Sequence, residues 1–356
     1  MIKITIYILS FSTIFILGFL FNNYWNYTNK RKKFYLFLSF ILLFLISAFR
    51  AENVGTDTSN YLRGFSNIKD ATLTNIFEKE RWESGYVILN KLVSFVSIKD
   101  QSILFFSSFI ILLAIMYFIY KNSENVVLSL YLYISLYLYF FSFNGIRQAM
   151  AMSILAMGFH LIKERKLIKY LIIVSVASLF HVTAIIFSFF YFLYNLKLNI
   201  KNIVLLSLMF IFIFVFIEDI VFYILSYTKS LNYIDANDIL EGSGLLFPLV
   251  NLSFLIYVLF IKINNKIKDP ELDFYLLIII IGFLATIIAM KLSVILRLNY
   301  YFQLFYIIAI PLSLKYVKQK NLKVLLIYLI LTVTIIYFLV RLLNGWHEVL
   351  PYKMFS

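Results

Sequence analysis

Arg147 and Gln148 lie where the sequence points most directly to a ligand. They follow Asn144 and Gly145, and Gly145 is expected to interrupt the chain just before an apolar run that predicts a helix. Both side chains would then lie in the first turn of that helix, where unpaired backbone N–H groups and the helix dipole favour an anion. A cation in this position is unfavourable unless an anion compensates it. We therefore predict that Arg147, together with Gln148, binds phosphate.

Two further arginines stand at the ends of apolar runs. Arg50 ends the second run, and Gly55 permits a turn that would bring Asp57 back towards it. This pattern predicts either an ion pair that fixes the loop, or a substrate-binding corner in which Arg50 faces an anion and Asp57 orients it or accepts a proton. Arg297 begins a later run, where the alternative to anion binding is an arginine that reaches the membrane interface from a helix end.

Three side chains are candidates for a general base. His181 interrupts a long apolar run, and a neutral imidazole there could take a proton near physiological pH; a buried structural histidine is the alternative. Glu83 lies among charged and aromatic residues typical of an interfacial segment, and it is either an acid–base group or an ordinary solvated charge. Asp57 is the third candidate. The residues alone leave the choice of base open.

The sequence lacks the motifs of enzymes that depend on nucleotides, metals or cofactors. It contains no Gly-rich phosphate loop, no HExxH, no GxSxG and no His/Cys metal spacing. Because there is no cysteine, disulfides, thiolate metal sites and cysteine nucleophiles are excluded. The residues therefore indicate no metal, nucleotide or cofactor site.

The composition places these residues in a membrane protein. Of the 356 residues, 62% are hydrophobic and 14% are charged, and the mean hydropathy is +0.90. A soluble domain is about 25% charged. The 39 Phe and 27 Tyr fit lipid-facing surfaces and interfacial belts. The net charge of +14 is expected of a multi-pass protein with basic cytoplasmic loops, and no separate basic stripe indicates nucleic acid.

Charge-free runs predict the membrane helices, because a bilayer core needs about 20 apolar residues in a helix and a charge within it is costly. They lie at 4–29, 34–49, 101–120, 125–146, 148–162, 170–196, 202–217, 242–261, 274–290, 298–314 and 324–340. We interpret 170–196 as a hairpin broken near His181, because this arrangement puts more Lys and Arg on the side of Lys30–Lys33, as the positive-inside rule requires. The sequence thus predicts an all-α polytopic membrane protein of about 12 transmembrane helices.

The same arrangement sets the orientation. Both termini lie outside, the inner loops are short and basic, and the outer loops, about 50–100 and 218–243, are longer and carry charges of both signs. No linker divides the chain, so we predict one membrane domain over residues 1–356. The polar candidates described above are expected to face outward.

Several short motifs, taken in order, resemble the EpsG-like group of Wzy-type polysaccharide polymerases. They are Phe49-Arg50, Val54-Gly55-Thr56-Asp57-Thr58 with Tyr61, Glu83-Ser84-Gly85-Tyr86, Asn144-Gly145-Ile146-Arg147-Gln148-Ala149, Phe180-His181, and Arg297 before Tyr300-Tyr301-Phe302. Each motif is short, and their order on one predicted face carries the resemblance. They cover most of the chain, from about residue 49 to residue 302.

The resemblance implies a GT-C-like glycosyltransferase of the bacterial inner membrane, with its active site facing the periplasm or the exterior. Such a polymerase makes O-antigen, capsule or exopolysaccharide. It moves a growing glycan from undecaprenyl pyrophosphate onto an incoming lipid-linked repeat, and it needs no metal. The implied partners are undecaprenyl-pyrophosphate-linked oligosaccharides, membrane lipids, a chain-length regulator and a flippase.

That reaction needs two kinds of side chain. The departing pyrophosphate gains charge, and the planar fork of arginine can bind it bidentately. The residues that suit this task are Arg147, Arg297 and Arg50, with Gln148 beside them. The acceptor hydroxyl must lose a proton to a base within hydrogen-bond reach. The candidates for this base are His181, Asp57 and Glu83.

The alternative function is a lipid-linked oligosaccharide flippase or a related transporter. A flippase needs polar residues along a path through the membrane midplane. In this sequence the charged residues gather at one predicted face, which favours catalysis there.

Overall fold

The computed structural model describes residues 2–21, 28–194, 196, 200–227 and 243–355. Within these residues no strand forms, and the only sheet-like feature is a single antiparallel bridge between Arg50 and Met354. The all-α polytopic class predicted from the sequence is confirmed.

The described residues form sixteen α-helices. In chain order they are α1 (Ile2–Phe21), α2 (Asn29–Ala48), α3 (Thr58–Lys69), α4 (Ile76–Lys79), α5 (Ser84–Val96), α6 (Ser102–Asn122), α7 (Val126–Ser135), α8 (Leu138–Asn144), α9 (Ile146–Lys163), α10 (Leu167–Ser178), α11 (Phe190–Leu193), α12 (Ile200–Tyr227), α13 (Leu246–Asn264), α14 (Pro270–Ala289), α15 (Leu296–Lys315) and α16 (Lys320–Leu343). Short 3₁₀ helices form at Val182–Phe189, Ser293–Ile295 and Trp346–Glu348.

Local sequence sets several of the helix ends. Asn125 precedes α7 and accepts hydrogen bonds from two backbone N–H groups of its first turn. Asp269 accepts one from α14, whose first residue, Pro270, has no N–H to satisfy. Gly145 separates α8 from α9, as the sequence predicts. The residues around Gly145 therefore place Arg147 in the first turn of α9.

Among the described residues, six helices are long and apolar enough to cross a membrane. They are α6, residues 204–221 of α12, α13, α14, α15 with the 3₁₀ helix before it, and α16. A seventh candidate is the pair α7 and α8, if the two helices are one span with a bend of 48°. The remaining predicted crossings fall on shorter helices or on helices with charged ends, so the total of about twelve stays a prediction.

The predicted break near His181 is confirmed. α10 ends just before it, and the following 3₁₀ helix runs back beside α10. The hydroxyl of Tyr170 donates to the carbonyl of Phe187 at 2.8 Å, and Arg165 donates to the carbonyl of Tyr191 at 2.9 Å. α10 has 12 residues and so extends only about 18 Å, less than the hydrocarbon core of about 30 Å. The interpretation of this hairpin as two full crossings stays a prediction.

Part of the predicted outer loop at 218–243 is helical. α12 continues to Tyr227, so the first part of that segment is helical. Glu218 and Asp219 end the charge-free run but not the helix, and both lie within its candidate span, 204–221. Residues 228–242 of this prediction lie outside the described residues.

The chain divides into two compact units. The first comprises residues 1–191 and 338–356, and the second comprises residues 192–337. The first unit holds the other predicted outer loop, 50–100, in which α3, α4 and α5 form. The second unit holds α12 to α15. The single domain over residues 1–356 stays a prediction.

The predicted orientation can be tested by labelling, because the chain has no native cysteine. Cysteines introduced by Ser66→Cys and Ser243→Cys should react with a membrane-impermeant thiol reagent in intact spheroplasts. The matched control, Lys166→Cys, should react only after the membrane is permeabilised. Labelling of Lys166→Cys alone in intact spheroplasts would reverse the orientation.

Candidate functional site

Glu83 connects two other predicted site residues. It lies immediately before α5 with an extended backbone, and its side chain makes no capping hydrogen bond to that helix. Its Oε1 lies 2.9 Å from Nδ1 of His181, and its Oε2 accepts a hydrogen bond from the guanidinium of Arg147. The three side chains belong to the first unit. We refer to them as the Glu83 cluster.

His181 lies at the tip of the hairpin. Its backbone is extended, with φ −157° and ψ 118°, between the end of α10 and the 3₁₀ helix that follows. The next residue, Val182, donates its backbone N–H to Oε1 of Glu83 at 3.4 Å. The His181 side chain is 14% exposed, and its Nε2 has no hydrogen-bond partner among the described residues. The carboxylate therefore fixes the tip through two adjacent residues and leaves one ring nitrogen available.

Arg147 lies in the first turn of α9, as predicted. The sequence indicated that a cation at this helix start needs an anion, and in this structure Glu83 provides one. The Tyr61 hydroxyl lies beside the same guanidinium. The Nε atom of Arg147 is shielded from solvent and has no hydrogen-bond partner in the part of the chain that the structure describes. Arg147 thus donates a hydrogen bond to Glu83 and retains an unpaired N–H donor at Nε.

Gly85 lets α5 approach the hairpin. Its backbone N–H donates to the carbonyl of Leu179 at 2.8 Å. A Cβ at this position would lie 2.7 Å from that carbonyl oxygen, closer than real Cβ contacts come. The glycine that follows Glu83 in its motif therefore allows the contact that brings His181 to the carboxylate.

The electrostatics of the cluster keep Glu83 ionised. Burial by itself raises the pKa of the Glu83 carboxyl, but the hydrogen bond with His181 and the charge of Arg147 lower it to about 2. An ionised carboxylate only accepts hydrogen bonds, so Nδ1 of His181 must carry the proton of their contact. In the neutral ring Nε2 is then the acceptor. Glu83 is consequently a poor base, and His181 is held in the tautomer that a base needs.

Arg50 is buried, and its hydrogen bonds go to residues outside the Glu83 cluster. The side chain is 1% exposed and donates to the carbonyls of Ser47 and Phe143 and, at 3.3 Å, to the hydroxyl of Thr58. Burial lowers its pKa to about 10, so it remains charged at neutral pH.

The predicted ion pair between Arg50 and Asp57 is not found among the described residues. The turn at Gly55, where φ is +103°, does bring the chain back, but Arg50 bonds to Thr58, the residue after Asp57. Asp57 is partly buried before α3, and its backbone N–H donates to Oδ1 of Asn144 at 3.1 Å. The loop is therefore fixed by hydrogen bonds and not by an ion pair between these two residues.

Asn144 was not predicted as a site residue, yet it connects three segments. Besides accepting from Asp57, it donates through Nδ2 to the carbonyl of His347 at 3.1 Å. It lies just before the break that starts α9, so it ties the loop of Asp57 and the C-terminal segment to the helix of Arg147. The one feature of the sequence that could have pointed to Asn144 is its position beside Gly145.

For Gln148 and Arg297, the structure gives the position on a helix and the exposure of the side chain. Gln148 follows Arg147 on α9 and is 3% exposed. Arg297 lies in the first turn of α15, as predicted, and is exposed. It belongs to the second unit. The part of both residues in pyrophosphate binding stays a prediction.

Three aromatic side chains pack next to the Glu83 cluster. The ring centroids of Tyr61, Trp82 and Tyr86 lie 5.2–5.7 Å apart. Gly64 on α3 makes room for them, since a Cβ there would lie 2.1 Å from the Trp82 ring. The motifs contain Tyr61 and Tyr86, but the contact of both with Trp82 could not be read from the sequence.

Across the described residues, no group of three or more His, Cys, Asp or Glu is placed to hold a metal.

Comparison with known proteins identifies a family. The model of a family described as the EpsG family matches residues 33–354, most of the chain. No curated protein and no solved structure matches. The matched range includes the whole Glu83 cluster and Arg297.

Proposed function

The chain belongs to the EpsG family, which supports a polymerase-type role in polysaccharide biosynthesis, and we propose that it joins lipid-linked oligosaccharide repeats. The proposed reaction transfers a growing glycan from undecaprenyl pyrophosphate to a hydroxyl of an incoming lipid-linked repeat. The protein is membrane-embedded, and the proposed site faces the periplasm or the exterior of a bacterial inner membrane.

The observation that carries the proposal is the hydrogen bond of 2.9 Å between His181 and Glu83. It directs Nε2 of His181 away from Glu83 as a proton acceptor, the arrangement that a general base needs. The acceptor oxygen forms a bond to the anomeric carbon of the donor glycan as the bond from that carbon to the pyrophosphate breaks. The hydroxyl proton goes to Nε2, and the lipid pyrophosphate leaves with the bonding electrons.

Glu83 acts in this scheme as a positioning residue. It remains a carboxylate because its pKa is lowered to about 2, and it stabilises the imidazolium that forms on His181. We therefore set Glu83 aside as the base, because a carboxyl group with so low a pKa does not take up a proton at neutral pH. Asp57 remains the competing candidate.

Arg147 is proposed to meet the departing pyrophosphate. Its guanidinium is held by Glu83, and its Nε has no partner among the described residues. A guanidinium fixed on one side has its remaining donors oriented for a phosphate oxygen, which lowers the entropy lost on binding. Gln148 and Arg297 keep the phosphate-binding role that the sequence predicts. Since Arg50 is buried and fully engaged, we propose that it holds the loop of Asp57 in place.

The leaving group explains why no metal is proposed. Cationic side chains can stabilise the charge that develops on a lipid pyrophosphate, as they do in other phosphoryl sites. The proposed partners are lipid-linked oligosaccharides, membrane lipids, a chain-length regulator and a flippase.

Deletion of the protein tests the proposed reaction against the flippase alternative. We expect cells without it to lose the long polymer and to retain single lipid-linked or transferred repeats, because units would still be made and exported. Re-expression of the intact chain should restore the polymer. Loss of both polymer and exported single repeats would instead indicate a flippase or an earlier step.

A further inference from the structure

A polar cavity lies at one end of the helices of the second unit. Its volume is about 610 Å³, within the range of about 300–1,000 Å³ that is typical of small-molecule sites. The loop between α13 and α14 forms one wall, and the residues at the end of α15 form the other. The charged residues of the lining are Lys266, Lys268, Lys318 and Asp269, so the cavity is basic.

The carboxylates near this cavity already have partners. Asp269 accepts hydrogen bonds from the first turn of α14 and from the hydroxyl of Tyr316. Asp273 forms an ion pair with Lys262, and Glu271 interacts with a tyrosine hydroxyl of its own helix. These acids are therefore engaged with groups other than the three lysines of the cavity.

The three lysines have no anion of their own in the part of the chain that the structure describes. The ammonium groups of Lys266, Lys268 and Lys318 make no ion pair and no hydrogen bond there. Like charges around one cavity repel one another unless an anion lies between them. A phosphate group has several acceptor oxygens, so a single phosphate can accept from more than one of these ammonium groups. The lining therefore favours a phosphate-bearing ligand.

An exposed apolar face of α13 leads to the cavity. Its members are Ile256, Phe260 and Ile263, all of them exposed, and their spacing of four and three residues puts them on one side of the helix. Ile263 is followed directly by Asn264, which lines the cavity. Because α13 is a candidate membrane span, this face is suited to contact with lipid chains. A ligand with an anionic head and an apolar chain matches both surfaces.

The cavity lies at the opposite end of α15 from Arg297. α15 has 20 residues and so extends about 30 Å, close to the thickness of the hydrocarbon core. Arg297 and the cavity therefore belong to opposite membrane surfaces. The orientation predicted from the sequence puts the cavity on the cytoplasmic side, where anionic lipids give the membrane a negative surface and basic pockets between helices bind their head groups.

We propose that this cavity binds the phosphate head group of an anionic phospholipid. Lys266, Lys268 and Lys318 bind the phosphate oxygens, and an acyl chain of the lipid lies along the exposed face of α13. The bound lipid connects the loop before α14 to the end of α15 and stabilises the second unit. This inference does not depend on the proposed function, because the pyrophosphate of the donor is assigned to the arginines and not to this cavity.

The test measures lipid binding to the purified full chain in detergent at low ionic strength. Phosphatidylglycerol with a fluorescent acyl chain should bind and raise the melting temperature, whereas phosphatidylcholine with the same chains should do neither. The double variant Lys268→Gln, Lys318→Gln should bind phosphatidylglycerol about ten- to fiftyfold more weakly, since each lysine contributes separately to attraction of an anionic lipid.

The matched control is the double variant Lys201→Gln, Lys320→Gln. It removes two exposed lysines of the same unit that do not line the cavity, so the net charge falls by the same amount. It should bind phosphatidylglycerol like the unmodified chain. An equal loss of binding in both double variants would show that only the overall charge attracts the lipid, and the proposed site would be wrong.

Lys266 provides a variant that separates lipid binding from folding. Its backbone has φ +48°, a left-handed conformation that glycine adopts without the crowding of a Cβ. Lys266→Gly should therefore keep or raise the melting temperature of the lipid-free chain and still weaken binding of phosphatidylglycerol. Unchanged binding in this variant and in Lys268→Gln, Lys318→Gln would reject the inference.

Inorganic phosphate distinguishes a lipid site from a site for a soluble anion. At the concentration at which phosphatidylglycerol saturates the protein, inorganic phosphate should neither displace the lipid nor raise the melting temperature, because it lacks the chain that contacts α13. If inorganic phosphate does both as well as the lipid does, the cavity binds a soluble anion and its assignment to a phospholipid is wrong.

Discussion

Replacement of His181 by alanine is expected to lower the rate of glycan transfer by about a hundred- to ten-thousandfold, the usual effect of removing a general base. Binding of the donor lipid should survive, because the imidazole acts on the acceptor hydroxyl. The measurement is turnover of purified protein with lipid-linked repeats, together with equilibrium binding of the donor. Glu83→Gln should also lose turnover, since the neutral amide no longer stabilises an imidazolium on His181.

The control for this prediction is His160→Ala. His160 is an exposed histidine near the far end of α9, so its replacement should leave turnover unchanged. Near-normal turnover of His181→Ala would reject His181 as the base. Loss of turnover in Asp57→Asn, with activity retained in His181→Ala, would move the role to Asp57.

Replacement of Arg147 should weaken donor binding as well as turnover. A charge-assisted hydrogen bond contributes about 1.5–3 kcal/mol, so Arg147→Ala predicts a loss of about ten- to hundredfold in affinity for undecaprenyl pyrophosphate. Arg147→Lys keeps the charge but cannot hold Glu83 and a phosphate oxygen with one planar fork, so it should remain impaired. The measurement is equilibrium binding of undecaprenyl pyrophosphate at equal amounts of folded protein.

The matched control is Arg63→Ala, which removes an exposed arginine from α3 in the same unit. It should bind undecaprenyl pyrophosphate normally. If Arg147→Ala also binds this lipid with unchanged affinity and loses only turnover, Arg147 acts solely by holding Glu83. The proposed contact with pyrophosphate would then be wrong.

Arg50 shows that a sequence motif can identify an important residue without identifying the atoms that it contacts. Sequence spacing brings Asp57 near Arg50, and the turn at Gly55 forms as predicted. The partners of Arg50 are nevertheless the carbonyl of Phe143, which is 93 positions away, and the hydroxyl of Thr58. Burial decides this outcome, because a guanidinium removed from water must use the acceptors that the packing places around it.

The properties that depend on local composition could be predicted from the sequence. Hydropathy places the apolar helices in a membrane, because the cost of a charge in hydrocarbon acts wherever the chain folds. Gly145 and the residues after it start α9, and the chain breaks at His181, because helix ends are set by nearby residues. Tertiary structure alone decided that Glu83 contacts His181, 98 positions away, and Arg147, 64 positions away. Those contacts depend on how closely α5 packs against the hairpin, and side-chain packing between distant segments leaves no periodic signal in the sequence.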